Sequence, residues 1–248
     1  MNISVNGPKV LFEFGPVAIT ETVVNMWIVM AVVTAVCIWL THDLKVKPTS
    51  KRQIVAEKLV GMVYSLVEGT MGRHCLPYAP YIGTLFTMSI CGSLLGLFGM
   101  RPYTADLSVT VAWALVTFCL VQGNNIRYNG IGGWLKGFLE PVPFLLPINV
   151  VGEVATPISI SFRHFGNIAA GTVITSLLYG ALAGLSSMIL GIIPNTFINS
   201  IPIFQLGLPA ILSIYFDVFT SFLQAYIICM LTMVYVTGVI PAPQKDNN

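Results

Sequence analysis

From His164 to Phe216 the chain contains no Asp, Glu, Lys or Arg. A run that long, and that free of charge, cannot be the surface of a water-soluble domain. Shorter charge-free windows recur before and after it. Only 9% of the 248 residues are charged and 55% are hydrophobic, whereas soluble domains carry about 25% charged residues. The mean hydropathy is +0.82. Lipid is therefore the solvent for most of the chain. In lipid every backbone polar group must find its partner within the protein, which leaves helices or closed barrels. The apolar windows have helical length, so the expected fold class is an all-α integral membrane protein. The net charge of +2 gives no sign of a nucleic-acid partner.

A spanning helix needs about 20 mostly apolar residues. The windows predict spans over 22–41, 81–100 and 107–123. A long helix is expected over 147–193; at 1.5 Å per residue it would be about 70 Å long. That exceeds a hydrocarbon core of about 30 Å, so it must tilt or begin outside it. Pro194 and Asn195 end it, and a proline-bearing loop leads into a final helix over 210–240, stopped by Pro241 and Pro243. These last two helices are expected to form a long, tilted hairpin. Residues 52–73 read differently. Ile54, Val55, Leu59, Met62, Val63, Leu66 and Val67 recur at helical spacing among charges, the pattern of an amphipathic helix lying in the interface or packed on its neighbours. The expectation is five spans plus one interfacial helix in a single membrane domain, 1–248.

Lys45, Lys47, Lys51, Arg52, Lys58, Arg73, Arg127, Lys136 and Lys245 fall on one side of this scheme, and only Lys9 and Arg101 on the other. The positive-inside rule puts the first group in the cytoplasm. Residues 1–21 are then external and 241–248 form a cytoplasmic tail. The first apolar segment is followed by a lysine cluster, the pattern of a retained anchor rather than a cleaved signal. Cys37, Cys75, Cys91, Cys119 and Cys229 show no CxxC spacing, so neither a zinc nor a redox site is suggested.

Arg163 stands deep within apolar sequence. A charge at the bilayer centre costs at least about 2.5 kcal/mol, which makes such a residue a functional candidate by default. Asn167, four residues on, shares its helix face. Gly166, Ala169, Ala170 and Gly171 leave that helix with little bulk, either for ordinary packing or for the close approach of a partner. On the last helix Asp217 and Gln224 are seven apart and share a face, with Thr220 and Ser221 between them. Asp217 could hold a proton, pair with Arg163, line a water path or cap a helix. Gln224 could line that path or bond a neighbouring helix. Thr172 lies half a turn round from Arg163, and Glu153 also faces elsewhere. Polar groups on opposing sides of one helix could serve two separate aqueous routes. His164 either titrates or is a satisfied interface histidine. No HExxH, GxSxG, aspartate-rich or phosphate-loop motif occurs, and no strand precedes GNIAAG, so neither an enzyme nor a cofactor is expected.

These residues resemble a known family. PISISFRHFGNIAAG, residues 157–171, resembles the arginine-bearing helix of F-type ATP synthase subunit a, the bacterial-type ATPase subunit 6 family. FLQAYIICMLTMVYV, residues 222–236, is similar to its final helix. EPVPFLLPINVVGE (140–153) and RPYTADLSVTVAWAL (101–115) also resemble it. The likeness is close over 80–240 and loose before that. It implies a non-catalytic, multi-pass subunit of the bacterial cell membrane, beside a ring of c subunits that carry membrane carboxylates. It also implies the b subunits of the peripheral stalk as partners. Protons would enter by one half-channel, ride the ring and leave by another, coupling their flow to rotation and ATP synthesis. Arg163 matches the arginine that attracts the ring carboxylate and blocks a leak; Asn167 and Gln224 match polar residues lining the path. The chain departs from the family at His164, where many members have Leu. It departs again at Thr172 and Asp217, where many have a Glu and a His or acid.

The energetics favour that reading. A unit charge crossing 100 mV gains about 2.3 kcal/mol, and a path that uses this energy must be interrupted so that ions cannot slip. A fixed cation is such an interruption. The alternative is a secondary ion or solute transporter, whose mark would be broken helices in repeated halves; Pro157 could break one helix, but no matching half is visible.

Overall fold

The computed structural model describes residues 9–14, 17–42, 44–46, 50–190 and 214–241. A short antiparallel hairpin, β1 (Val10–Phe14) and β2 (Val17–Thr20), leads into α1 (Glu21–Thr41). Next come α2 (Lys51–Met71), α3 (Ala79–Leu94), α4 (Leu107–Leu139), α5 (Leu146–Leu190) and α6 (Thr220–Val239). Five of these segments are long and apolar enough to cross a membrane, and the fold is all-helical apart from the hairpin. Pro157 lies inside α5, and the helix continues through it. The expected helix ends beyond Leu190, the loop to Pro209 and the start of the last helix lie outside the described residues.

Helix α6 is the central post. Ile228, Cys229, Met233 and Val236 on it are buried with Val67 and Met71 of α2, Ala79, Ile82 and Leu85 of α3, Ala114 of α4 and Ile160 of α5. The Phe222 and Phe86 rings meet edge to face at 5.6 Å, joining α6 to α3. By contrast α1 holds Trp27, Val32, Val36, Ile38 and Trp39 exposed. Burying bare apolar surface in lipid costs nothing, so a helix can be apolar all round. Polar bonds fix its N-terminal end instead: Thr22 donates to Asp106 Oδ2 at 2.9 Å and Asn25 to the Arg101 carbonyl at 3.0 Å. On α2, Ile54, Val55, Leu59 and Met62 of the apolar stripe are exposed while Val67 is fully buried, so only its last turns enter the core.

Three elements depart from the sequence expectation. The second span, α3, ends at Leu94 and passes into a 3-10 turn, Leu95–Phe98. The third does not stop near Gly123 but runs to Leu139, broken at Gly130, whose φ of 68° and ψ of 168° are non-helical. Polar residues such as Asn124 and Asn125 look like a loop in sequence, yet Asn124 satisfies itself on the Leu120 carbonyl (2.8 Å) and accepts from Tyr78 (2.7 Å). The last helix is entered through a π-wound turn, Ile214–Phe219.

Candidate functional site

Helices α4 and α5 run antiparallel, because Trp113 meets His164 near one end of their contact and Gln122 meets Glu153 further along. One face of α5, bearing Glu153, Ile160 and His164 at helical spacing, therefore looks at α4. Arg163 lies about 100° round from His164 and is exposed. Among the described residues it makes no hydrogen bond or ion pair. Ser159, Gly166, Asn167 and Ala170 surround it on that side of the helix, so little bulk separates Arg163 from whatever passes outside.

Asn167 Nδ2 donates to Gln224 Oε1 at 2.6 Å. Gln224 and Ser221 are buried on α6. The two amides named from the sequence thus meet and clamp α5 to α6 one turn beyond Arg163. The side chains of Thr172 and Asp217 lie outside the described ones. Their backbones do bear on the spacing argument: Asp217 belongs to the π-wound turn, and the seven-residue face shared with Gln224 assumes α-winding throughout.

His164 is fully buried, and neither ring nitrogen has a partner among the described residues. Its ring sits edge to face on Trp113 at 5.6 Å, and Trp113 on Tyr103 at 6.3 Å. Tyr103 in turn donates to the Met88 carbonyl at 2.6 Å. This aromatic file ties α5 to α4 and α3 and so sets the rotation of α5 that turns Arg163 outward.

A cavity of about 810 Å³ opens between α4, α5 and α6. Phe138, Glu140, Asn149 and Val239 line one end of it; Ala114, Thr117 and Ile160 line the other, about one helical turn short of Arg163 and His164. Glu153 lines it, half-buried. Gln122 Nε2 donates to Glu153 Oε2 at 2.9 Å, and Trp134 Nε1 donates to Gln122 Oε1 at 2.7 Å. Pro157, also on the wall, has no N–H, so the Glu153 carbonyl one turn back lacks its helical donor. Sequence reasoning named Glu153 but missed Gln122 and Trp134. Both lie at the membrane-edge stretch of α4, where polar and aromatic residues are common, and only the bend at Gly130 brings them together.

The chain as a whole has relatives among known proteins. The family model described as ATP synthase A chain matches residues 23–237. The chain belongs to that family. It is 34% identical over 238 residues to the sodium-ion-specific ATP synthase subunit a of Propionigenium modestum, covering 90% of this chain and 74% of that one. It is 32% identical to ATP synthase subunit a of Moorella thermoacetica, over 94% of this chain and 96% of that one. With subunit a 1 of Hahella chejuensis the identity is 33%, over 97% and 92%. Membership makes the chain a multi-pass subunit of the membrane-embedded, ion-translocating sector of an ATP synthase, not a secondary transporter.

Proposed function

We propose that this subunit is the static half of a rotary proton motor, in which Arg163 separates two aqueous half-channels and meets the membrane carboxylates of a c ring. The observation that carries the reading is an exposed arginine within a long apolar helix, unpaired among the described residues and flanked by small side chains, with a cavity that bears Glu153 ending about one turn away. A cation in that position attracts a passing carboxylate, releases it when a proton takes its place, and repels protons that would cross directly.

The cavity at the Glu140 end is the cytoplasmic half-channel in this reading, since the basic residues assign that end to the cytoplasm. Glu153 takes protons from water there and returns them. The second route runs past Asn167, Gln224 and Ser221 toward Asp217 and Thr172. His164 stands between the routes, its ring against Trp113. The b subunits of the peripheral stalk hold the chain still against the ring.

The test is ATP-driven acidification of inverted vesicles. Arg163→Ala is expected to abolish it, and coupled pumping at the wild-type level in that variant would refute the proposal. The sodium-specific relative supplies a second outcome to measure. Proton transport predicts acidification in sodium-free buffer, abolished by a protonophore. Sodium transport predicts that ATP-driven uptake of labelled sodium survives the protonophore.

A further inference from the structure

Trp134 and Gln122 are twelve residues apart, which a straight α-helix would separate by about 18 Å along its axis. They touch because the chain turns at Gly130, in a backbone region essentially reserved for glycine. The bend brings the indole back over α4 and completes a file of three side chains, Trp134 to Gln122 to Glu153, at 2.7 and 2.9 Å.

The chemistry of the file is directional. An indole N–H only donates, so the Gln122 atom facing it must be the carbonyl oxygen. The Gln122 amide nitrogen then faces Glu153 and can itself only donate. Glu153 Oε2 is thereby held as an acceptor, and a proton placed on it would weaken that bond, whereas a proton on Oε1 leaves it intact. Turned the other way, the Gln122 amide would set its nitrogen against the indole, two donors face to face.

We propose that Gln122 and Trp134 are positioning residues for proton transfer in the cavity: they reserve Oε2 of Glu153 as an acceptor, so that a proton is loaded and unloaded only at Oε1. In the loading step Oε1 takes a proton from a hydrated proton in the cavity, leaving water and a neutral carboxyl; unloading reverses it. Fixing one oxygen keeps the other aimed at the cavity and removes a rotation of the carboxyl from each transfer. The inference rests on Glu153 lying in the translocation path, as proposed above.

The experiment uses the whole membrane complex and two readouts. Infrared difference spectra isolate the Glu153 carboxylate stretches by subtraction of the Glu153→Gln spectrum. Trp134→Phe keeps the ring and removes the N–H; Gln122→Leu removes the amide. Each is expected to shift those stretches and to slow ATP-driven pumping several-fold, and the double variant to be no slower than Gln122→Leu alone, because a file is broken once. Unchanged Glu153 bands in Trp134→Phe, or losses that multiply in the double variant, would overturn the proposal even if pumping falls, since a purely packing role predicts one or the other. A Glu153→Gln variant that pumps like the wild type would instead remove Glu153 from the path and sink the reading beneath it, whatever the bands do.

Discussion

Gly92 sits where α3 passes the Tyr103 ring, and a Cβ there would overlap the ring edge. Tyr103 is fully buried and its hydroxyl is held by Met88, so the ring has nowhere to go. Gly92→Val is expected to cost about 1–3 kcal/mol through overpacking, read as a lower thermal midpoint for the purified complex. At the other end of the aromatic file, His164 buries two nitrogens that have no partner among the described residues, each a cost of about 1–3 kcal/mol. His164→Leu is therefore expected to raise that midpoint. If pumping then falls while stability rises, the histidine is retained for translocation; if both hold or rise, it is not. Arg163 was legible in the sequence because a charge among apolar residues is conspicuous on any reading. Gln122 was not, because one glutamine near a membrane edge is ordinary until its two partners are known.

At the scale of elements, α4 and the α5–α6 pair carry the site. The bend at Gly130 meets no steric obstacle, but its φ is 68°. Gly130→Ala therefore strains the backbone by about 1–3 kcal/mol without any clash. It is expected to release Trp134 from Gln122, seen as a red-shifted, more quenchable Trp134 fluorescence in a variant lacking the other tryptophans. Between α5 and α6 the Asn167–Gln224 bond predicts coupling. Asn167→Ala and Gln224→Ala should each weaken pumping, and together less than their product, as for residues that share one interaction. Helical spacing put Asn167 beside Arg163 from the sequence alone. Spacing could not foresee the π-wound entry to α6, because a change of winding leaves no periodic signature in six residues.

For the whole molecule, orientation follows from charge. In a background lacking the exposed Cys37 and Cys119, Lys136→Cys is expected to react with an impermeant maleimide from the cytoplasmic face of inverted vesicles. Ser108→Cys should react only from the opposite face; the reverse pattern would invert the assignment of the cavity to the cytoplasm. The sequence by itself determined that the chain lives in lipid and that it crosses as helices, and it singled out Arg163 with Asn167 and Gln224 as the candidate site. Those follow from solvation, since a charge-poor chain has one possible solvent and a lone cation in it needs a reason. Only the tertiary structure decided that Asn167 and Gln224 touch, that His164 turns inward onto Trp113, and that Trp134 is linked to Glu153 through Gln122. Each of those depends on how one helix is rotated or bent against another, and packing between helices, not the pattern along any one of them, sets rotation and bend.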